Sequence, residues 1–346
     1  MSSALQFYLS SVLILLCLNI IPVWGLDLQF GLAGINNFAY ILFQAAGAYT
    51  VSVFAVHPAA YYQAGETYIG GLALPDPWPL VLGTLAGGLL AVPIGLIALR
   101  RLRGDYQAMA MLVLSIIATG YVGANTGFLN GLAGISFIPR LGDSGNSLSP
   151  SEYQWFFLLL VTGIAVVCYF IVRAIHRAPY GRVLRSMRDD EMASRALGRN
   201  VNRVRMQIFI VGGLLGGLSG GLLAYYVGAW APGSWDYPET FLFFTAIIVG
   251  GSGNLLGGVF GAALVPVGLL EATRFLPQIG YAGLVDSLSW VVIGLVLLVF
   301  LWFRPQGVFA ERRRLYLLDE RPGGVGSWLR RVGRPEMSTQ PTKETA

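Results

Sequence analysis

Long apolar runs recur along this chain from residue 5 to residue 303, at approximately 5–24, 30–56, 79–99, 107–123, 155–173, 206–228, 240–271 and 285–303. A run of roughly 20 residues is long enough for a helix to cross the hydrocarbon core of a bilayer. The expected fold is therefore all-α: a polytopic integral membrane protein with about 8–10 transmembrane helices, some of them broken or re-entrant. Composition agrees, since 55% of residues are hydrophobic, only 12% are charged and the mean hydropathy is +0.63, which leaves little chain for a soluble domain.

Two of the runs need comment. The 32 residues of 240–271 fall short of the roughly 40 that two full crossings require, so broken or re-entrant helices are expected there. The first run has the length of a signal peptide but lacks a basic leading region and a small-residue cleavage site, so it reads as a retained helix. Cys17 and Cys168 both lie in apolar runs and read as small buried hydrophobes rather than disulfide partners or metal ligands.

Charge placement orients the spans, because arginine and lysine are retained on the cytoplasmic side during insertion. The loop 100–106 holds three basic residues, 173–205 holds nine and 304–346 holds nine, together 21 of the 23 in the chain. Those segments are expected in the cytoplasm. Segments 57–78, 124–154, 229–239 and 272–284 then face outward, as does the N-terminus. The apolar region covers 1–310. The remainder, 311–346, is rich in Gly, Pro and Arg and reads as a disordered cytoplasmic tail. Its arginines would rest on anionic membrane lipid, at about 1 kcal/mol each.

The stretch "RSMRDDEMASRALGRNVNRVR", 185–205, holds nine charged side chains in 21 positions. Arg185 with Asp189, and Glu191 with Arg195, sit at i,i+4 spacing and would pair along a helix over 182–198. Gly198 supplies the left-handed residue that ends it. Two readings stay open: a topology signal on a solvated face, or a docking element for a cytoplasmic partner.

With its flanks, "RAPYGRVLRSMRDDEMASRALGRNVNRVRMQIF", carrying Glu191-Met192-Ala193 and then Gly198, resembles the cytoplasmic EAA loop of ABC importer permeases, in the form typical of the LivM family of branched-chain amino acid permeases. The blocks at 26–50, 101–116, 231–264 and 303–309 resemble the same family in the same order. The resemblance implies a subunit, in a bacterial inner membrane, that moves branched-chain or similar hydrophobic amino acids into the cytoplasm. It would pair with a second, related permease, with ABC ATP-binding subunits and with an extracytoplasmic solute-binding protein. It also implies that Arg185, Arg188, Asp189, Asp190, Glu191, Ala193, Arg195, Leu197 and Gly198 form the ATPase-coupling loop. This chain departs from the family pattern at Asn37-Phe38-Ala39-Tyr40, at Gln107 and Met111, and at "NGLAGI" (130–135). Members similar in overall pattern also move urea and short amides, so the solute stays open.

The residue chemistry places the motor on another chain. No G-x-x-x-x-G-K-[ST] occurs, and the single lysine is Lys343 in the tail, so no phosphate-cradling loop is present. An ion-coupled carrier would need ionisable groups inside the membrane. Asp27, Asp236, Glu239, Glu271 and Asp286 instead fall near predicted span ends. For catalysis, His57 and His176 belong to no recognisable motif. No cofactor, metal ion or nucleic acid is implied.

Asparagines beside glycines mark two corresponding segments, "GLAGINNFAYILFQAAGAY" (31–49) and the glycine-rich block around Asn254. Paired broken segments in two halves of a chain point to a translocation path. Candidate lining residues are Asn36, Asn37, Gln44, Gly251, Gly253 and Asn254. The alternative is tight helix packing, with the asparagines satisfied by neighbouring backbone.

Overall fold

The computed structural model describes residues 3–57, 71–102, 104–143, 148–274 and 284–310. The 311–346 segment expected to be a disordered tail lies outside the described residues. Twelve α-helices form among those described: α1 (Ser3–Asp27), α2 (Tyr40–Ala55), α3 (Trp78–Arg101), α4 (Gly104–Ala124), α5 (Pro150–Arg177), α6 (Pro179–Asp189), α7 (Glu191–Ala196), α8 (Val201–Val227), α9 (Tyr237–Gly250), α10 (Leu255–Ala262), α11 (Leu270–Arg274) and α12 (Leu284–Phe303). No strand forms among the described residues. One isolated bridge joins Ile135 to Trp230. The protein is an all-α polytopic membrane protein: six helical stretches are long and apolar enough to cross a membrane, and α2 and the described part of α12 are shorter apolar helices.

Helices α5 and α8 run longer than their apolar runs because their ends are capped by polar residues that hydropathy ignores. Ser149 and Glu152 form a capping box before α5, the Ser149 hydroxyl accepting from the Glu152 N–H while the Glu152 carboxylate accepts from the Ser149 N–H at 2.9 Å. At the other end of α8, Gly228 takes the left-handed conformation that closes a helix.

Run 30–56 is not one helix. Residues Leu28–Leu32 continue α1 as a π-helical turn, the chain leaves helical geometry at 34–37, and α2 starts at Tyr40. Run 240–271 resolves into α9, a turn at 251–254, and a return through α10, a π-helical segment Ala263–Leu269 containing Pro266, and α11. At 1.5 Å per residue, the 14 residues of α9 cover about 21 Å, so this leg is short for a full crossing. The expected helix over 182–198 is also two helices. Asp190 leaves the helical region (φ −150°, ψ 105°) and caps α7 by accepting from the Ala193 N–H at 2.9 Å, a competition with helix propagation that aspartate often wins.

Contacts between distant residues sort the helix ends into two groups. At one end, Gln154 at the start of α5 donates to Phe7 O, Tyr8 donates to Glu271, and Tyr225 donates to Asp76. At the other, Asp27, His176, Arg188 and Gly253 converge beneath α6. The start of α1 therefore lies opposite the arginine-bearing helix.

Helix α8 is central, packing against α1, α2 and α3. It carries glycine pairs at 212/213, 216/217 and 220/221, one pair per helical turn, so a side-chain-free stripe runs down it. An added Cβ on Gly47 of α2 would lie 2.0 Å from Gly217 O, and one on Gly87 of α3 would lie 2.4 Å from Gly213 O. Three backbones thus meet directly. Outward faces of α4, α5 and α12 expose Ile117, Leu159, Phe170 and Leu298, the apolar coat that a lipid-facing surface requires.

Candidate coupling face and translocation elements

Helix α6 is amphipathic, and its sequence decides which way it faces. Leu184 and Met187 are buried against the bundle, while Arg182 and Asp189 are exposed. Tyr180 fixes its start by donating to Val204 O of α8 at 3.1 Å. Burial raises the Tyr180 phenol above its usual pKa, which keeps it a donor. Arg188 fixes its end, its guanidinium donating to Gly31 O in the π-turn below.

In α7, Glu191 accepts from Arg195 at 2.5 Å and lies 2.8 Å from Arg205 Nη1 on α8, so one carboxylate ties the short helix both along itself and to the next span. Asp189 lies 3.6 Å from Arg188 Nε. Ala193 is exposed, and Ser194 turns inward. Gly198 has φ +77°, and a Cβ added there would meet nothing within 4 Å, so its requirement is conformational rather than steric. Arg185 is half-buried in α6. The result is a braced pair of short helices whose outward surface carries Met192 (77% exposed) and Leu197 (82% exposed) amid charged side chains.

Of the pathway candidates, Gly253 meets the end of α1 below α6. Asp27, with only 2% of its side chain exposed, accepts from the Gly253 N–H at 2.8 Å and places its other oxygen 4.0 Å from His176 Nε2. Phe38 packs on Phe241 and Phe244, and the Ile41 N–H donates to Thr240 Oγ1, so the start of α2 runs along α9. Asn37 is fully buried: its amide donates to Gln29 Oε1 at 2.8 Å and its oxygen accepts from the Ala39 N–H, while Gln29 donates to Phe209 O. Asn254 caps α10 through the Leu256 N–H and donates to Phe309 O. Both amides thus have internal partners. Asn36 is half-buried and Gln44 is buried on α2. Gly251 and Gly253 both have positive φ, as the reversal between α9 and α10 needs.

Several of these residues escape sequence reading. Asp27 reads as an acid at a span end and His176 as part of a basic loop. Each lies where hydropathy places it, and neither has a local sequence signal for a partner 149 or more positions away in the chain. Arg205 is likewise invisible as a brace for Glu191.

Membrane-length apolar helices, broken where two halves of the chain meet and capped at one end by a braced polar hairpin, define a multi-pass transport protein. The chain belongs to the family described as branched-chain amino acid transport system / permease component, whose model matches residues 8–301. It is 28% identical over 331 residues to the probable branched-chain amino acid transport permease protein LivM of Methanocaldococcus jannaschii, covering 88% of this chain and 94% of that one. It is 26% identical over 311 residues to the high-affinity permease protein LivM of Escherichia coli K12, covering 84% of this chain and 67% of that one. The guanosine ABC transporter permease protein NupQ of Bacillus subtilis is 28% identical over 243 residues, covering 66% and 67%. No solved structure matches the chain.

Proposed function

We propose that this chain is the membrane permease subunit of an ATP-driven importer that carries branched-chain or similar hydrophobic amino acids into the cytoplasm across a bacterial inner membrane. Its partners are two ABC ATP-binding subunits, a second related permease and an extracytoplasmic solute-binding protein. ATP is hydrolysed on the partner subunits. The observation that carries this reading is the exposed Met192–Leu197 surface on the braced α6–α7 pair, two apolar side chains presented on a polar face. Residues Arg185 to Gly198 serve as the coupling loop, and α2, α9 and the turn at 251–254 border the path.

Motion of the ATPases would reach the spans through α6 and α7, and solute released by the docked binding protein would enter at the opposite end. The test is uptake by the purified complex in sealed vesicles, with ATP inside the compartment that the arginine-bearing face occupies. Leucine, isoleucine or valine accumulates only with ATP, and a collapsed proton gradient leaves the rate unaltered. Uptake that survives without ATP, or uptake of urea and short amides alone, overturns the reading.

A further inference from the structure

The buried carboxylate of Asp27 stands at a junction between the coupling loop and the candidate path. On one side, the π-turn that follows Asp27 offers Gly31 O to Arg188 of α6. On the other, Asp27 itself holds the Gly253 N–H, in the turn between α9 and α10. The space between is closed: a Cβ on Gly31 would lie 2.1 Å from Asp27 Oδ1 and 2.6 Å from Gly253 N, and one on Gly34 would lie 3.0 Å from Arg188 Cγ. Residues 28–37 also reach α8, through Gln29 to Phe209 O and Asn37 to Gln29. One five-residue π-turn therefore touches the coupling helix, both chain breaks and the central helix. Single-turn π segments in helices are frequently found at functional sites.

We infer that Asp27 and Arg188 are positioning residues that transmit movement of α6 to the turn at 251–254, with the π-turn Leu28–Leu32 as the link between them. The inference rests on the proposed function. Two hydrogen bonds in series form the route: Arg188 donates to Gly31 O, and the Gly253 N–H donates to Asp27 Oδ1. Neither residue touches solute or ATP in this scheme. Removal of Asp27 lowers transport per ATP hydrolysed and leaves the amount of assembled complex in place; for Arg188, which lies in the coupling loop, the ratio is read per assembled complex. A coupling of this kind between distinct sites is ordinarily worth between about fivefold and about 150-fold.

The experiment measures uptake and ATP hydrolysis together in vesicles holding the whole reconstituted complex. Asp27→Ala is expected to lower the ratio of solute moved to ATP hydrolysed by about tenfold. Asp27→Asn keeps an acceptor for the Gly253 N–H and is expected to restore most of the ratio. Arg188→Gln, on a helix still held by Leu184, Met187 and Tyr180, lowers the ratio as Asp27→Ala does, and the double variant is no worse than either, as two links in one series require. Should Asp27→Ala fail to assemble, Asp27→Asn and Arg188→Gln carry the same comparison. Wild-type ratios in Arg188→Gln, proportional loss of both activities, additive loss in the double variant, or an Asn variant whose ratio drops about tenfold, as expected for Ala, each overturn the inference. A wild-type complex with no ATP-driven uptake instead refutes the functional reading beneath it.

Discussion

Glu191 illustrates how much one side chain decides on the coupling face. An exposed i,i+4 pair with Arg195 contributes only a few tenths of a kcal/mol, but the second contact to Arg205 crosses to α8 and fixes where α7 sits. Glu191→Ala and Arg205→Ala should therefore weaken retention of the ATPase to the same degree, and the pair of changes should cost no more than one. Co-purification of the ATPase with each variant checks this. Gly198→Val puts a β-branched residue at φ +77°, a strain of roughly 1–3 kcal/mol, and should reduce co-purification and uptake together. Asparagines separate in the same way. Asn37→Leu strands the Gln29 carbonyl oxygen and the Ala39 N–H, at about 1–3 kcal/mol for each buried group, so it should lower the unfolding temperature in detergent. Asn36→Leu should leave that temperature near wild type and slow uptake if the half-buried amide lines the path. The i,i+4 partner of Glu191 could be read from spacing. Arg205, fourteen positions on, could not, because only the fold of α7 back against α8 brings it near.

At the scale of elements, the spans were legible because a bilayer sets one length that every crossing helix must meet. Their breaks were harder to place. Hydropathy does not distinguish Leu28–Leu32 from α2, since both are apolar, and the interruption comes from the backbone around Gly34 and the bond from the Ala39 N–H to Asn37. Asp190 splits the coupling helix through a local competition for N–H groups that helical charge spacing conceals. The stripe on α8 was open to sequence reading, since glycine pairs recur there every four residues, and its importance appears once α2 and α3 are seen against it. Gly217→Leu should force these helices apart, an overpacking cost of typically 1–3 kcal/mol or more, and lower the unfolding temperature markedly. A Cβ added at Gly163 on α5 meets nothing within 4 Å, so Gly163→Leu should be tolerated. Thermal unfolding of the two variants in the same detergent makes the comparison.

For the whole molecule, the helix ends gathered beneath α6 carry the basic loop 173–205, and those gathered at the start of α1 belong to segments with few basic residues. Single cysteines placed after Cys17 and Cys168 are removed should report this division. Leu132→Cys, at a position 76% exposed near the ends of α4 and α8, should react with an impermeant thiol reagent in intact cells. Arg199→Cys, on the exposed stretch after α7, should react only in inverted vesicles. Ser194 is a poor reporter, being 4% exposed. Labelling of Arg199→Cys in intact cells would reverse the orientation.

The glycine stripe also sets where this molecule is free to bend. Helices separated by interlocking side chains slide by rotamer exchange, one hop at a time. Helices whose carbonyls abut, as α2, α3 and α8 do, have no such slack: translation by a fraction of a turn drives backbone into backbone. That trio would then move as one body, with any change of spacing confined to its margins.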